Sequence, residues 1–109
     1  MVSTARIREL NDAFRTTFIG NGDVYLTRGV AALPGMEQSA IIERVQTFED
    51  FTPENDPYYE HDFGSFRLCG RRFFWKIDYY DCAMEHGSEN QSDPEQTTRV
   101  LTIMLASEY

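Results

Sequence analysis

Apolar residues recur at helical spacing along the first part of the chain: Ile7, Leu10, Phe14 and Phe18, with Arg6, Arg8, Glu9 and Asp12 mostly between them. A stripe that returns every three to four residues predicts an amphipathic helix from about Thr4 to Thr17. Ser3 or Thr4 supplies a side-chain oxygen for its first amides. The turn sequence Gly20-Asn21-Gly22-Asp23 ends it. Val24-Tyr25-Leu26-Thr27 has the residue types of a short strand, which Gly29 breaks. Pro34-Gly35 then opens a second helix, from about Gly35 to Thr47. Its apolar stripe is Met36, Ala40, Ile41, Val45 and Phe48, with Glu37, Glu43 and Arg44 off it.

The pattern changes after Phe48. Residues 49–63, EDFTPENDPYYEHDF, hold two prolines and dense charge, which oppose regular structure. The aromatics Phe51, Tyr58 and Tyr59 predict an ordered loop that packs down. Next, GSFRLCGRRFFWKIDYYD alternates with period two and predicts a hairpin turning at Gly70-Arg71. In that register Leu68 lies opposite Phe73, and Phe66 opposite Trp75. One face then carries Phe66, Leu68, Phe73, Trp75, Ile77 and Tyr79, the predicted core. The other carries Ser65, Arg67, Cys69, Arg72, Phe74, Lys76 and Asp78. A one-residue slip would spoil that separation. A polar loop follows from Cys82 to about Glu95. The closing run TTRVLTIML favours a strand by its Val, Ile and Thr content, although Asp93-Pro94-Glu95 could instead start a helix.

These elements predict one α+β domain. Its small antiparallel sheet has the hairpin (about 64–80) and the C-terminal strand (about 97–106) at its centre and the 24–27 strand at an edge. Two helices, about 4–17 and 35–47, pack on one face. The second face, with Arg67, Arg72, Phe74, Lys76 and Tyr80, could stack on a base or ligand. Cover by another helix or by a dimer partner explains it more simply. Asp78 is expected to pair with Lys76 along that face.

Composition narrows the function classes. With 109 residues, 41% hydrophobic and 14% aromatic, the chain suits a single globular domain. No apolar run approaches the roughly 18 residues of a membrane span, and MVSTARIREL has no apolar signal core, so a cytosolic protein is expected. Cys69 and Cys82 lie roughly 33 Å apart along the predicted strand, too far for a disulfide. The net charge of −8 disfavours direct binding to bare nucleic acid.

The acids are not evenly spread. Between Arg44 and Arg67 there is no basic residue but six acids: Glu49, Asp50, Glu54, Asp56, Glu60 and Asp62. Between Lys76 and Arg99 there is again no basic residue and there are six acids: Asp78, Asp81, Glu85, Glu89, Asp93 and Glu95. The rest of the chain holds all ten bases against six acids. The predicted hairpin brings both stretches to its open end, while Arg71 and Arg72 mark the other. A field of that kind selects a basic partner protein and speeds its approach. The residues expected to meet it are Asp56, Glu60, Asp62, Asp81, Glu85 and Glu89. Such a surface could occupy a nucleic-acid groove on the partner and inhibit it. Acidic loops also serve simply to keep a protein in solution.

The densest group of catalytic residue types is Glu60-His61-Asp62, with Asp56 nearby and Asp78, Asp81 and His86 from the other stretch. As an enzyme the chain would use Glu60, His61, Asp62 and Asp78 as acids and bases, or hold Mg²⁺ or Ca²⁺ through the loop carboxylates. No spacing matches an EF-hand, a zinc motif, a phosphate-binding loop or a nucleophile elbow, so neither a metal nor a cofactor is expected. A non-enzymatic interaction module is the leading expectation. A small metal-dependent hydrolase or nuclease is second, and a homodimer built on the second sheet face third.

The segments TRGVAALP, FTPENDPYYEHDFG, FWKIDYYD and RVLTIMLASEY resemble a family of small bacterial proteins classified as a domain of unknown function. The resemblance runs from about Leu10 to Tyr109. It implies carriage on plasmids and other mobile elements, with roles in plasmid upkeep or evasion of host defence, and it defines no functional residue. Tyr59 stands where the family's pattern has a glycine.

Overall fold

In the computed structural model, which describes residues 3–109, the chain forms three α-helices and four strands. In order they are α1 (Thr4–Thr17), β1 (Gly22–Leu26), α2 (Arg28–Ala31), α3 (Gly35–Gln46), β2 (Phe63–Leu68), β3 (Arg71–Tyr80) and β4 (Thr98–Leu105). A 3-10 turn at Ala106–Glu108 follows. The four strands make one sheet in the order β1-β4-β3-β2. This is the expected α+β architecture, with the C-terminal run a strand and not a helix. One pairing departs from expectation: β1 lies parallel to β4, so the sheet is mixed. Helices and a hairpin separate β1 from β4 in sequence, and no tight turn dictates their relative direction.

Ser3 caps α1, its hydroxyl accepting the Arg6 amide at 3.3 Å. Phe18 ends the helix in the left-handed region at φ 57°. α1 buries Ile7 and Phe14 as expected, but also Asn11 and Arg15, whereas Leu10 is only half-buried. On α3, Ile41 and Val45 are buried with Phe48 just beyond, but Met36 is 88% exposed. The short α2 was not expected from a segment containing Gly29. It forms because the Glu108 carboxylate accepts hydrogen bonds from the Thr27 hydroxyl (2.6 Å) and the Gly29 amide (2.9 Å) at its N-terminus. A side chain at Gly29 would strike Leu105 and Glu108.

The hairpin turns one residue earlier than its sequence suggests. Leu68 pairs with Arg71 and Phe66 with Phe73, so the loop is Cys69-Gly70. Both loop residues have positive φ, 52° and 76°, the geometry that matches the twist of paired strands and that favours glycine at the second position. The earlier turn displaces each partner by two residues, and two is the period of side-chain direction, so the predicted faces survive intact. Phe66, Phe73, Trp75 and Ile77 form the core with Leu101 and Ile103 of β4 and Phe14, Val30, Ile41 and Val45 of the helices. Burial of each large side chain stabilises the fold by about 1.5–3 kcal/mol.

No helix among the described residues covers the other sheet face. Tyr109 lays its ring edge-on against Phe63 and Phe74, at 6.1 and 5.3 Å between centroids. Lys76 and Asp78 pair there at 2.9 Å, as expected. Cys69 and Cys82 are both free and exposed. No helix among the described residues is long and apolar enough to cross a membrane.

Candidate functional site

The two acid-rich segments do meet. Tyr80 pairs with Thr98 of β4 on one side and with Gly87 on the other. Gly87 therefore occupies, beyond the start of β2, the side of β3 that β2 takes further along. The Ile77 amide donates to the Asp62 carbonyl at 2.9 Å and the Ser88 amide to the Tyr79 carbonyl at 3.2 Å. Residues 49–62 and 81–97 are thus anchored next to one another on the last turn-length of β3.

A buried polar network ties them together from the helix side. Asn11, fully buried, donates from Nδ2 to the Glu60 carbonyl (2.9 Å) and to the Tyr79 hydroxyl (2.8 Å). Its Oδ1 accepts from Arg99 Nε at 2.7 Å. Arg99, only 4% exposed, donates from its other end to the Gln91 carbonyl at 2.6 Å and lies over the Tyr79 ring. The Tyr79 hydroxyl donates in turn to Glu60 Oε1 at 3.2 Å. Burial lowers the affinity of Arg99 for its proton and raises that of Tyr79. One side chain from α1, one from β3 and one from β4 therefore fix a carbonyl in each acidic loop. A second set of bonds, from Thr97 and Ser88 to one another and to the Asn90 and Gln96 carbonyls, rigidifies the 81–97 loop internally.

The 49–62 loop is held by His61. Its ring stacks flat on Phe51, 3.7 Å between centroids, and its Nδ1 lies 2.9 Å from Asp12 of α1. Its Nε2 is 3.5 Å from Asp56, whose carboxylate also accepts the His61 amide at 3.1 Å. Arg15 bonds Asp12 at 3.1 Å and the Val45 carbonyl at 2.9 Å, and it lies between the Phe51 and Trp75 rings. A cleft of about 310 Å³ opens beside Asp12, Arg15, Phe51 and His61. Tyr59 and His61 both take positive φ, 59° and 55°, a backbone geometry that favours glycine.

The sequence-predicted site residues divide accordingly. Glu85 and Glu89 are exposed and Asp81 partly so; its carboxylate accepts the Glu85 amide at 3.0 Å, which keeps its pKa low. Glu60 is half-buried in the network. Asp62 is half-buried, and burial together with the charge of Glu60 pushes its carboxyl up to about 6. Asp56 is only 3% exposed and is engaged by His61, so it does not face outward as a partner-binding residue would. Asp78 sits on the opposite sheet face, paired with Lys76, and reaches the Glu60–Asp62 group only through its charge, which helps raise the pKa of Asp62. Tyr58 and Tyr59 are exposed, and of the three loop aromatics only Phe51 packs inward. Among the described residues no three His, Cys, Asp or Glu side chains are grouped to hold a metal ion.

Asn11, Arg15 and Arg99 escaped the sequence reading, although their positions carried a signal. Asn11 and Arg15 continue the Ile7–Phe14–Phe18 stripe at helical spacing, and Arg99 shares the alternation of Leu101 and Ile103. Polar residues on an apolar face are buried only with partners, and those partners come from distant elements.

The profile of a family described as "Protein of unknown function (DUF3768)" matches residues 26–108. The match begins after α1 and β1 have all but ended, later than the Leu10 boundary suggested by the motifs. No curated protein and no solved structure matches the chain.

Proposed function

Because the chain belongs to the DUF3768 family, whose description assigns no chemistry, we propose from its own residues that it is a non-enzymatic interaction module whose acidic end binds a basic surface of a partner protein. The observation that supports this most is the anchoring of both base-free segments side by side on the end of β3, braced by Asn11 and Arg99. Rigid bracing lowers the ordering cost of binding. The two anchored segments carry exposed carboxylates on Glu49, Asp50, Glu54, Glu85 and Glu89. Spaced carboxylates suit Arg and Lys residues that otherwise meet phosphates, so the partner class is a nucleic-acid-handling protein, and occupation of its groove inhibits it. Carriage on mobile elements, which the family likeness implies, fits such an inhibitor of host defence. The carboxylate-enzyme reading has less support, since Asp78 lies across the sheet from Glu60 and Asp62.

The test is a charge-reversal series in Asp81, Glu85 and Glu89, each changed to Lys, with capture from the host at low and at about 0.5 M salt, where screening acts within a few ångströms. A basic partner recovered by the unaltered chain at low salt only, and lost by the triple variant, is expected. Binding that survives both salt and reversal would overturn the proposal.

A further inference from the structure

The free side of β2 has the features of a self-pairing edge. β2 ends the sheet, and only β3 flanks it. Because the Asp62 carbonyl accepts the Ile77 amide, the alternation of an antiparallel ladder assigns residues 64, 66 and 68 to bonds with β3. The amides and carbonyls of Phe63, Ser65 and Arg67 then point away from the sheet. The Arg67 carbonyl bears this out, accepting Arg44 of α3 from the outer side at 3.5 Å. Beside this edge runs a groove of about 460 Å³, lined by Arg44, Glu49, Asp50, Ser65 and Arg67 among others.

Charge along the groove is ordered. α3 runs antiparallel to β2: Glu37 forms an ion pair with Arg71 at 3.7 Å at the hairpin end, Arg44 lies over Phe66, and Phe48 reaches Gly64. Glu49 and Asp50 follow Phe48 toward the start of β2. The groove is basic at its Arg67 end and acidic at its Phe63 end. An antiparallel pairing about Ser65 exchanges these ends, because Arg67 of one strand then faces Phe63 of the other.

We propose that β2 pairs with β2 of a second copy of this chain, antiparallel and centred on Ser65, to give a continuous eight-stranded sheet. A two-fold axis perpendicular to the sheet keeps the helices of both copies on one side. It brings Arg44 of each copy to Glu49 and Asp50 of the other, and Arg67 beside the Phe63 ring of the other copy. Backbone bonds supply the contact and the charges fix its register. An edge strand with outward amides otherwise invites indiscriminate pairing, which this arrangement prevents at β2 and leaves β1 as the outer strand on each side. The surface shares only Glu49 and Asp50 with the acid-rich segments and is separate from the sheet face on which Tyr109 packs.

Sedimentation velocity from about 1 μM to about 1 mM tests it, with amide hydrogen exchange at Phe63, Ser65 and Arg67. A monomer–dimer equilibrium is expected, with those three amides gaining protection as concentration rises. Ser65→Pro removes an outward amide that β3 does not use and should leave a folded monomer. Arg44→Glu and Asp50→Arg should each weaken the dimer by about tenfold or more, since each acts twice across the axis, and the double variant should recover most of that loss. If Ser65→Pro fails to fold by circular dichroism, the charge exchange decides alone. A monomer throughout the range, a dimer indifferent to Ser65→Pro but lost on Phe74→Ala, or a double variant no better than its worse parent would overturn the proposal. So would protection of the edge only when a foreign extended peptide is added.

Discussion

Asn11→Ala removes a side chain that hydrogen-bonds into both arms of the polar network. In the native protein its amide donates to the Glu60 carbonyl and the Tyr79 hydroxyl, and its carbonyl accepts from Arg99. After truncation Tyr79 still donates to Glu60 and Arg99 still reaches Gln91. Two buried groups lose their partner, the Glu60 carbonyl and Arg99 Nε. An orphaned carbonyl costs about 1–3 kcal/mol and a charged donor somewhat more. Entry of a water into the vacated space returns part of this, and the better helix propensity of Ala returns about 0.5 kcal/mol. The net expectation is a loss of about 3 kcal/mol, a large share of the 5–15 kcal/mol of a typical domain. In urea, with a slope of about 1.5 kcal/mol per M, the midpoint should fall by about 2 M. Amide exchange should rise in residues 49–62 and 81–97 together, because Asn11 links Glu60 to Arg99 and through it Gln91. A loss below about 1 kcal/mol, or faster exchange in only one loop, would refute the claim that this network braces both.

Three further substitutions probe other parts of the argument. Asp62 has its folded-state pKa raised to about 6 from 3.8, so its ionised form opposes folding: the penalty is full above about pH 6 and vanishes as pH falls below about 4. Asp62→Asn should therefore stabilise the protein at pH 8, by about 1 kcal/mol after allowance for solvent screening, and should not at pH 4; thermal melts at the two pH values check it. Gly64→Ala should cost about 3 kcal/mol or more in denaturant unfolding, since the added carbon would fall 2.6 Å from Trp75 Cε2 and 2.8 Å from the Phe48 ring. Tyr59→Gly should be neutral or stabilising by up to about 1 kcal/mol in the same assay. It relieves a left-handed backbone at φ 59° and gives up a ring that is 57% exposed; a clear loss would show that the ring itself packs.

The sequence by itself determined the elements and the sides they bury. The stripes of α1 and α3 and the alternation of β2 and β3 are local regularities, and period two preserved the hairpin's faces even though the turn falls at Cys69-Gly70. It also determined where the charge lies, because counting bases between Arg44 and Arg67 and between Lys76 and Arg99 requires no geometry. Tertiary structure decided the remainder. β1 runs parallel to β4 because contacts far apart in sequence, not a turn, set its direction. Asp56 turned inward to His61 through the backbone path of a loop with no periodicity, whereas the alternation of β3 had already set Asp78 beside Lys76 on the other face. Asn11, Arg15 and Arg99 are buried only because Glu60, Tyr79, Val45 and Gln91 arrive to receive their hydrogen bonds, and no local pattern in the chain encodes which remote carbonyl satisfies a buried donor.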